Sequence, residues 1–160
     1  MSNDELPLSI MAAKNAVMRF LRNEEYLTRV EIMVGGKYDT EDGLFVPPHW
    51  HPLHDEVFRV IKGRIEVKIG PTTRIYTPED GEIVIPRRTV HSIRSSKGEH
   101  IIMEERTEPM DDEKELFFRN MLESGGLPTS VLQAAVVAYN CDVCPVFPWH
   151  ILWLESAVST

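Results

Sequence analysis

The sequence predicts an all-β fold, a barrel or sandwich, with helical extensions at both ends. Three observations carry this. Short runs rich in Val, Ile and Phe recur between residues 26 and 108, separated by Gly, Pro and Asp, the spacing of an all-β sandwich or barrel. The run RIEVKI at 64–69 alternates strictly, with Ile65, Val67 and Ile69 on one side and Arg64, Glu66 and Lys68 on the other, so one face is packed and one is wet. Outside 26–108 the apolar spacing shifts from two toward the helical period.

Taken in order, residues 8–23 carry Ile10, Val17, Met18 and Leu21 at roughly helical spacing, which predicts a short amphipathic helix. The predicted strands are LTRVEIMV (27–34), EVFRVIK (56–62), RIEVKIG (64–70), TRIYT (73–77), EIVIP (82–86), VHSIR (90–94) and HIIMEER (100–106). The 111–140 region then predicts two helices. DDEKELFFRNML opens with three acids in its first turn and carries the i,i+4 pairs Phe117/Met121 and Phe118/Leu122, a favourable N-terminal charge and a packing stripe. Gly125 and Gly126 supply a stop, and Pro128 suits the first turn of a second helix reaching Tyr139.

The chain has 160 residues, enough for one domain with one sizeable core. A net charge of −8 argues against nucleic acid and against docking on anionic lipid, both of which need a basic footprint. Two cysteines make no disulfide framework. The first residues carry acid and no long apolar core, so no secretory signal is expected and the expected location is cytoplasmic. The apolar region from Val131 to Leu154 is interrupted by Asn140, Asp142, Pro145, Pro148 and His150, too broken for a clean membrane span. A buried or partner-facing tail is expected there.

The informative stretch is GLFVPPHWHPLHDEVFRVIKG at 43–63. On a strand, His49 and His51 share a face while Trp50 points away. Glu56 returns at the head of the next strand, so two imidazoles and a carboxylate can meet at one point. A fourth ligand should come from a distant strand, and His91 at the head of VHSIR is the candidate.

These residues resemble the cupin superfamily. Its first motif is a Gly, five residues, His-x-His, three or four residues, Glu, six residues and Gly, which Gly43, His49, His51, Glu56 and Gly63 fit throughout. The second motif is a Gly, five residues, Pro-x-Gly, two residues, His, three residues and Asn. Here Pro86 and His91 are in place, Gly81 is one residue closer to Pro86, Arg88 stands at the Gly position and Ser95 at the Asn position. The resemblance implies a jelly-roll β-barrel over about residues 26–108 and one divalent metal held by His49, His51, Glu56 and His91. The wider pattern of HWH, IPRRTVH, EERTEP and a KELFF helix is similar to small cupins of fungal polyketide pathways, generally regarded as oxidoreductases.

Three imidazoles and a carboxylate suit Fe(II), Mn, Ni, Cu or Zn, and Fe(II) is the expected metal. With iron the site would bind dioxygen and oxidise an enol or phenol. With Zn or Mn it would act as a Lewis acid, giving isomerisation, cyclisation or dehydration. A third possibility is a ligand-binding module without turnover. His54 is a candidate general base, outer-sphere donor or alternative ligand at the pocket rim. Glu104 is another candidate base, since alternation leaves open which of Glu104 and Glu105 faces inward. Phe58, Val60, Ile65, Val67, Ile85 and Ile93 are expected to form the apolar wall of a small-molecule pocket. Arg88, with Arg87, is placed to grip a substrate carboxylate. Cys141-Asp-Val-Cys144 with His150 offers too few ligands for a structural zinc. A homodimer is expected, with the apolar tail serving the interface.

Overall fold

The structure is a computed structural model describing residues 6–22, 24–34, 43–111, 113–122 and 142–146. Eleven strands are present among them. They are β1 (Ser9–Ala13), β2 (Ala16–Phe20), β3 (Thr28–Ile32), β4 (Phe45–Trp50), β5 (Asp55–Lys62), β6 (Ile65–Ile69), β7 (Thr72–Tyr76), β8 (Glu82–Ile85), β9 (His91–Ser95), β10 (Ile101–Glu108) and β11 (Cys144–Pro145), with one helix, α1 (Glu113–Leu122), between β10 and β11. They form two antiparallel sheets, ordered β1-β2-β3-β10-β5-β8 and β11-β4-β9-β6-β7. The expected all-β core is present as a sandwich of two sheets. Closure into a barrel is not seen among the described residues.

The apolar alternation explains the packing. Ile65 and Val67 of β6 and Ile93 of β9 join Phe58, Val60, Ile83, Ile85, Ile101 and Met103 of the other sheet in one cluster. Phe58, Ile65 and Ile101 are wholly buried, each side chain worth about 1.5–3 kcal/mol of transfer free energy.

The N-terminal expectation is corrected. Residues 8–23 hold a hairpin, β1 paired with β2, instead of a helix. Ala16, Met18 and Phe20 are buried while Val17 is half-buried and Arg19 exposed, a period of two that wins because β2 pairs along its length with β3. Each of those inward residues thereby gains a place in the core, which a solvent-facing helix could not supply. The C-terminal expectation holds for the first helix. Phe117 is buried on α1, and Phe118 and Leu122 pack against the main core. The predicted second helix, the glycine stop, Cys141, His150 and the apolar tail from residue 147 lie outside the described residues.

Two departures from the family pattern have a local explanation. Arg88, at the expected Gly position, has φ +64°, the left-handed region where a Cβ costs about 1–2 kcal/mol. Ser95, at the expected Asn position, accepts the Leu44 N–H on its Oγ at 2.8 Å. Gly63 needs its identity twice over. Its φ is +79°, and a Cβ there would lie 2.6 Å from the His100 carbonyl oxygen.

Candidate metal centre

The His-x-His segment ends the strand that carries two prolines. Pro47 and Pro48 lie on β4 where its register against β9 shifts between Val46 and His49. Proline donates nothing to a ladder and is tolerated at such an irregularity. Past the shift, His49 stands directly opposite His91 on β9, and their rings lie 4.2 Å apart between centroids. His51 follows just beyond the strand, its ring 5.5 Å from that of His91. Glu56 comes from the other sheet, on β5 between Ile85 of β8 and Thr107 of β10. The four side chains therefore meet between the two sheets, with ligand atoms all within 4.8 Å of one another.

The cluster is almost closed to water. His51, Glu56 and His91 are 3%, 3% and 1% exposed. Glu56 Oε2 lies 2.6 Å from His91 Nε2 and 3.6 Å from His51 Nε2. None of those three atoms makes a well-aligned hydrogen bond, although buried polar atoms ordinarily find one. Each imidazole turns its Nδ1 away, toward a carbonyl: His49 to Pro47 at 2.8 Å, His91 to Thr89 at 3.0 Å and His51 to Asp142 at 2.7 Å. An Nδ1–H donated outward leaves the Nε2 lone pair free for a metal. Orphaned inward nitrogens, a buried carboxylate and borderline donors fit one divalent ion of the first transition row.

Electrostatics agree with that fit. Burial pushes the His49 imidazole down to about 3, so it is a neutral donor at physiological pH. Burial alone would raise the Glu56 carboxyl, but the Lys114 charge and the imidazoles of His51 and His91 hold it well below the usual range. Burial works against a charged His91, and its contact with Glu56 outweighs that and raises its pKa.

The remaining sequence candidates fall elsewhere. Glu104 is corrected. It is buried on the outer face of β10, held by Arg29 and by Arg59, whose Nε lies 2.9 Å away. Its neighbour Glu105 faces inward, next to Glu56 and 3.1 Å from Lys114 Nζ. Burial drives the Glu105 carboxyl up to about 7, with Lys114 opposing and Glu56 adding to the rise. His54 has both ring nitrogens engaged, Nδ1 2.6 Å from Asp142 and Nε2 2.8 Å from Asp111. It ties segments together instead of standing as an open base. Phe58, Val60, Ile65, Val67, Ile85 and Ile93 are 0–3% exposed within the packed core, so they fill the interior rather than line an open pocket. Arg88 is an exposed turn residue whose backbone N–H donates to the His51 carbonyl at 2.7 Å, and Arg87 is bound to Asp55. The Arg87 guanidinium is thus held by a protein carboxylate rather than left open as a grip. A cleft beside the cluster is lined by His51, His54, Thr107, Asp111, Lys114 and Asp142, among others.

Lys114 and Asp142 escaped the sequence reading. Lys114 sits in a helix read for its apolar stripe, and Asp142 lies inside CDVC, read for its cysteines. Cys144 is buried; it belongs to β11, which pairs with β4 beside Trp50.

No protein-family model matches the chain. Among curated proteins it is 32% identical over 80 residues to the oxidoreductase OpS7 of Beauveria bassiana, covering 49% of this chain and 26% of that one. It is 38% identical over 53 residues to an oxidoreductase of Arthrobotrys oligospora (33% and 21% covered). It is 41% identical over 46 residues to the probable oxidoreductase patJ of Penicillium expansum (29% and 14% covered). The matched segments thus span about a quarter or less of those relatives' lengths. Similar solved structures include KdgF from Halomonas sp., with TM-score 0.49, 18% identity, 71% of this chain and 94% of that one covered. Another is the Cnp3 cupin domain of Schizosaccharomyces pombe, with TM-score 0.45, 21% identity, and 65% and 69% covered. No helix among the described residues is long and apolar enough to cross a membrane. With the first motif complete, His91 opposite His49, and all four side chains converging between two antiparallel sheets, the chain carries the ligand arrangement expected from its resemblance to cupins, and the curated proteins it is similar to over these segments are named as oxidoreductases.

Proposed function

We propose that this chain is a metal-dependent oxidoreductase acting on a small organic molecule, with one divalent metal held by His49, His51, Glu56 and His91. The observation that carries the reading is the buried convergence of His51 Nε2, His91 Nε2 and Glu56 Oε2, which lie close together without a well-aligned hydrogen bond among them and which a metal would satisfy together. Fe(II), when bound, supplies dioxygen binding and one-electron chemistry. The resemblance to small cupins of fungal pathways makes a polyketide-type enol or phenol the substrate class. The chain's own residues do the rest. His49 offers a neutral nitrogen, Glu56 a carboxylate, and the sheets exclude water. Loading the metal displaces the proton favoured between His91 and Glu56, so affinity falls in acid.

A non-redox isomerase or lyase is the second reading, and Glu105 favours it. A buried carboxyl raised to about 7 beside a lysine is suited to proton transfer near neutrality.

The test is elemental analysis of protein purified without chelators or added metal, followed by oxygen uptake with simple 1,3-dicarbonyl compounds and phenols. Near-stoichiometric iron with oxygen uptake is expected. Zinc or manganese without oxygen uptake, but with solvent deuterium entering the 1,3-dicarbonyls faster than in protein-free buffer, replaces the first reading with the second. No metal even after reconstitution overturns both.

A further inference from the structure

The three imidazoles of the cluster are not oriented alike. His49 and His91 each use a carbonyl two residues earlier on their own segment, Pro47 and Thr89. Their orientation is a local property of β4 and β9. His51 uses the carbonyl of Asp142, ninety-one positions downstream.

Asp142 is itself held in place from the metal side. Its carboxylate accepts the Leu53 N–H at 2.9 Å and the His54 N–H at 3.1 Å, and lies 2.6 Å from His54 Nδ1. Its backbone is left-handed, φ +39°. Just beyond it, β11 pairs with β4 at Trp50 and His49, and the Val146 N–H donates to Pro48 at 3.0 Å. A segment far along the chain therefore straps the His-x-His strand, and the one residue at its head grips the 51–54 loop with both its carbonyl and its side chain.

We infer that Asp142 is a positioning residue for the metal centre, fixing through His51 which ring nitrogen faces the metal. This rests on the proposed metal reading. The Asp142 carboxylate fixes the segment, the Asp142 carbonyl fixes the His51 tautomer, and His51 Nε2 is left pointing inward. Partners of this kind typically change metal affinity by about ten- to a hundredfold.

The experiment titrates the full chain with Co(II), reading affinity, the visible d–d absorption, and the exchangeable imidazole N–H signals of the loaded protein by NMR. Wild type should bind one Co(II) and show three slowly exchanging imidazole N–H signals. Asp142→Ala should weaken binding about ten- to a hundredfold, shift the absorption, and hasten solvent exchange of one signal only, that lost in His51→Ala. Asp142→Asn keeps an acceptor oxygen and should restore affinity to within about threefold of wild type. Asp111→Ala removes the other carboxylate on His54 without touching His51, and should leave affinity within about twofold. Asp142→Ala with wild-type affinity, absorption and exchange overturns this inference alone; a wild-type chain that binds no Co(II) overturns the metal reading with it. Should Asp142→Ala fail to fold, the wild-type spectrum decides. A His51 N–H exchanging far faster than those of His49 and His91 overturns the inference, and one equally protected supports it.

Discussion

Glu104 and Glu105 are neighbours on β10 and both are buried, 2% and 9% exposed, yet they face opposite sides of the same sheet. Outside, Glu104 is gripped by Arg29 and Arg59. Arg59 also lies 4.2 Å over the Tyr26 ring, and the Tyr26 hydroxyl donates to Glu82 at 2.5 Å. Every carboxylate in that network has a cation or a donor, and the arginines stay partly open to water, 43% and 39% exposed. Inside, Glu105 shares one lysine with Glu56, and atoms of Glu105, Glu56, His51 and His91 have no well-aligned partner. The outer face resolves its buried charge with protein alone, as a structural network does. The inner face does not, and buried polar atoms left in that state call for an ion or a functional role to account for them.

The largest effect should come from the inner face. His91→Ala removes a ligand at the centre of the cluster and should abolish stoichiometric metal binding, measured by elemental analysis, while cooperative thermal unfolding persists. Retained full occupancy would break the comparison, since the inner face would then not depend on its orphaned atoms.

Glu104→Gln and Glu105→Gln should separate the two faces. Glu104→Gln is expected to cost about 1–2 kcal/mol in chemical denaturation, the arginines being partly solvated, and to leave metal content unchanged. Glu105→Gln should act on pH dependence. In the metal-free protein the folded state holds the Glu105 proton up to about pH 7. The contribution of this group is therefore complete below the ordinary carboxyl range and lost as pH rises through 7. The variant should flatten the stability profile across that window. Equal pH slopes in wild type and variant would show Glu105 to be as well compensated as Glu104.

The smallest effect touches neither face. Arg88→Gly should raise stability by about 0.5–1 kcal/mol by relieving the left-handed φ, less than the full steric cost because glycine loosens the unfolded chain. A loss of stability on denaturation would mean that the Arg88 side chain holds the turn beside His51.

Much of this was legible in the chain itself. Alternation in RIEVKI marked β6, and the spacing from Gly43 to Gly63 marked His49, His51 and Glu56, because strand period and the spacing within that stretch are both local. The helix read at 8–23 failed for the opposite reason. Ile10, Val17, Met18 and Leu21 fit a helix loosely, and only pairing with β3 reveals Ala16, Met18 and Phe20 as the inward set.

By itself, the sequence determined the all-β class, most strand positions and the identity of His49, His51 and Glu56, since each follows from residue type and short-range spacing, while His91 followed from its place at the head of a strand matching the second motif. Tertiary structure alone decided that Glu105 and not Glu104 faces the cluster, that Lys114 is buried beside it, and that Asp142 orients His51. Those facts depend on which sheet face is inward and on contacts across nearly a hundred residues, and no local pattern encodes either.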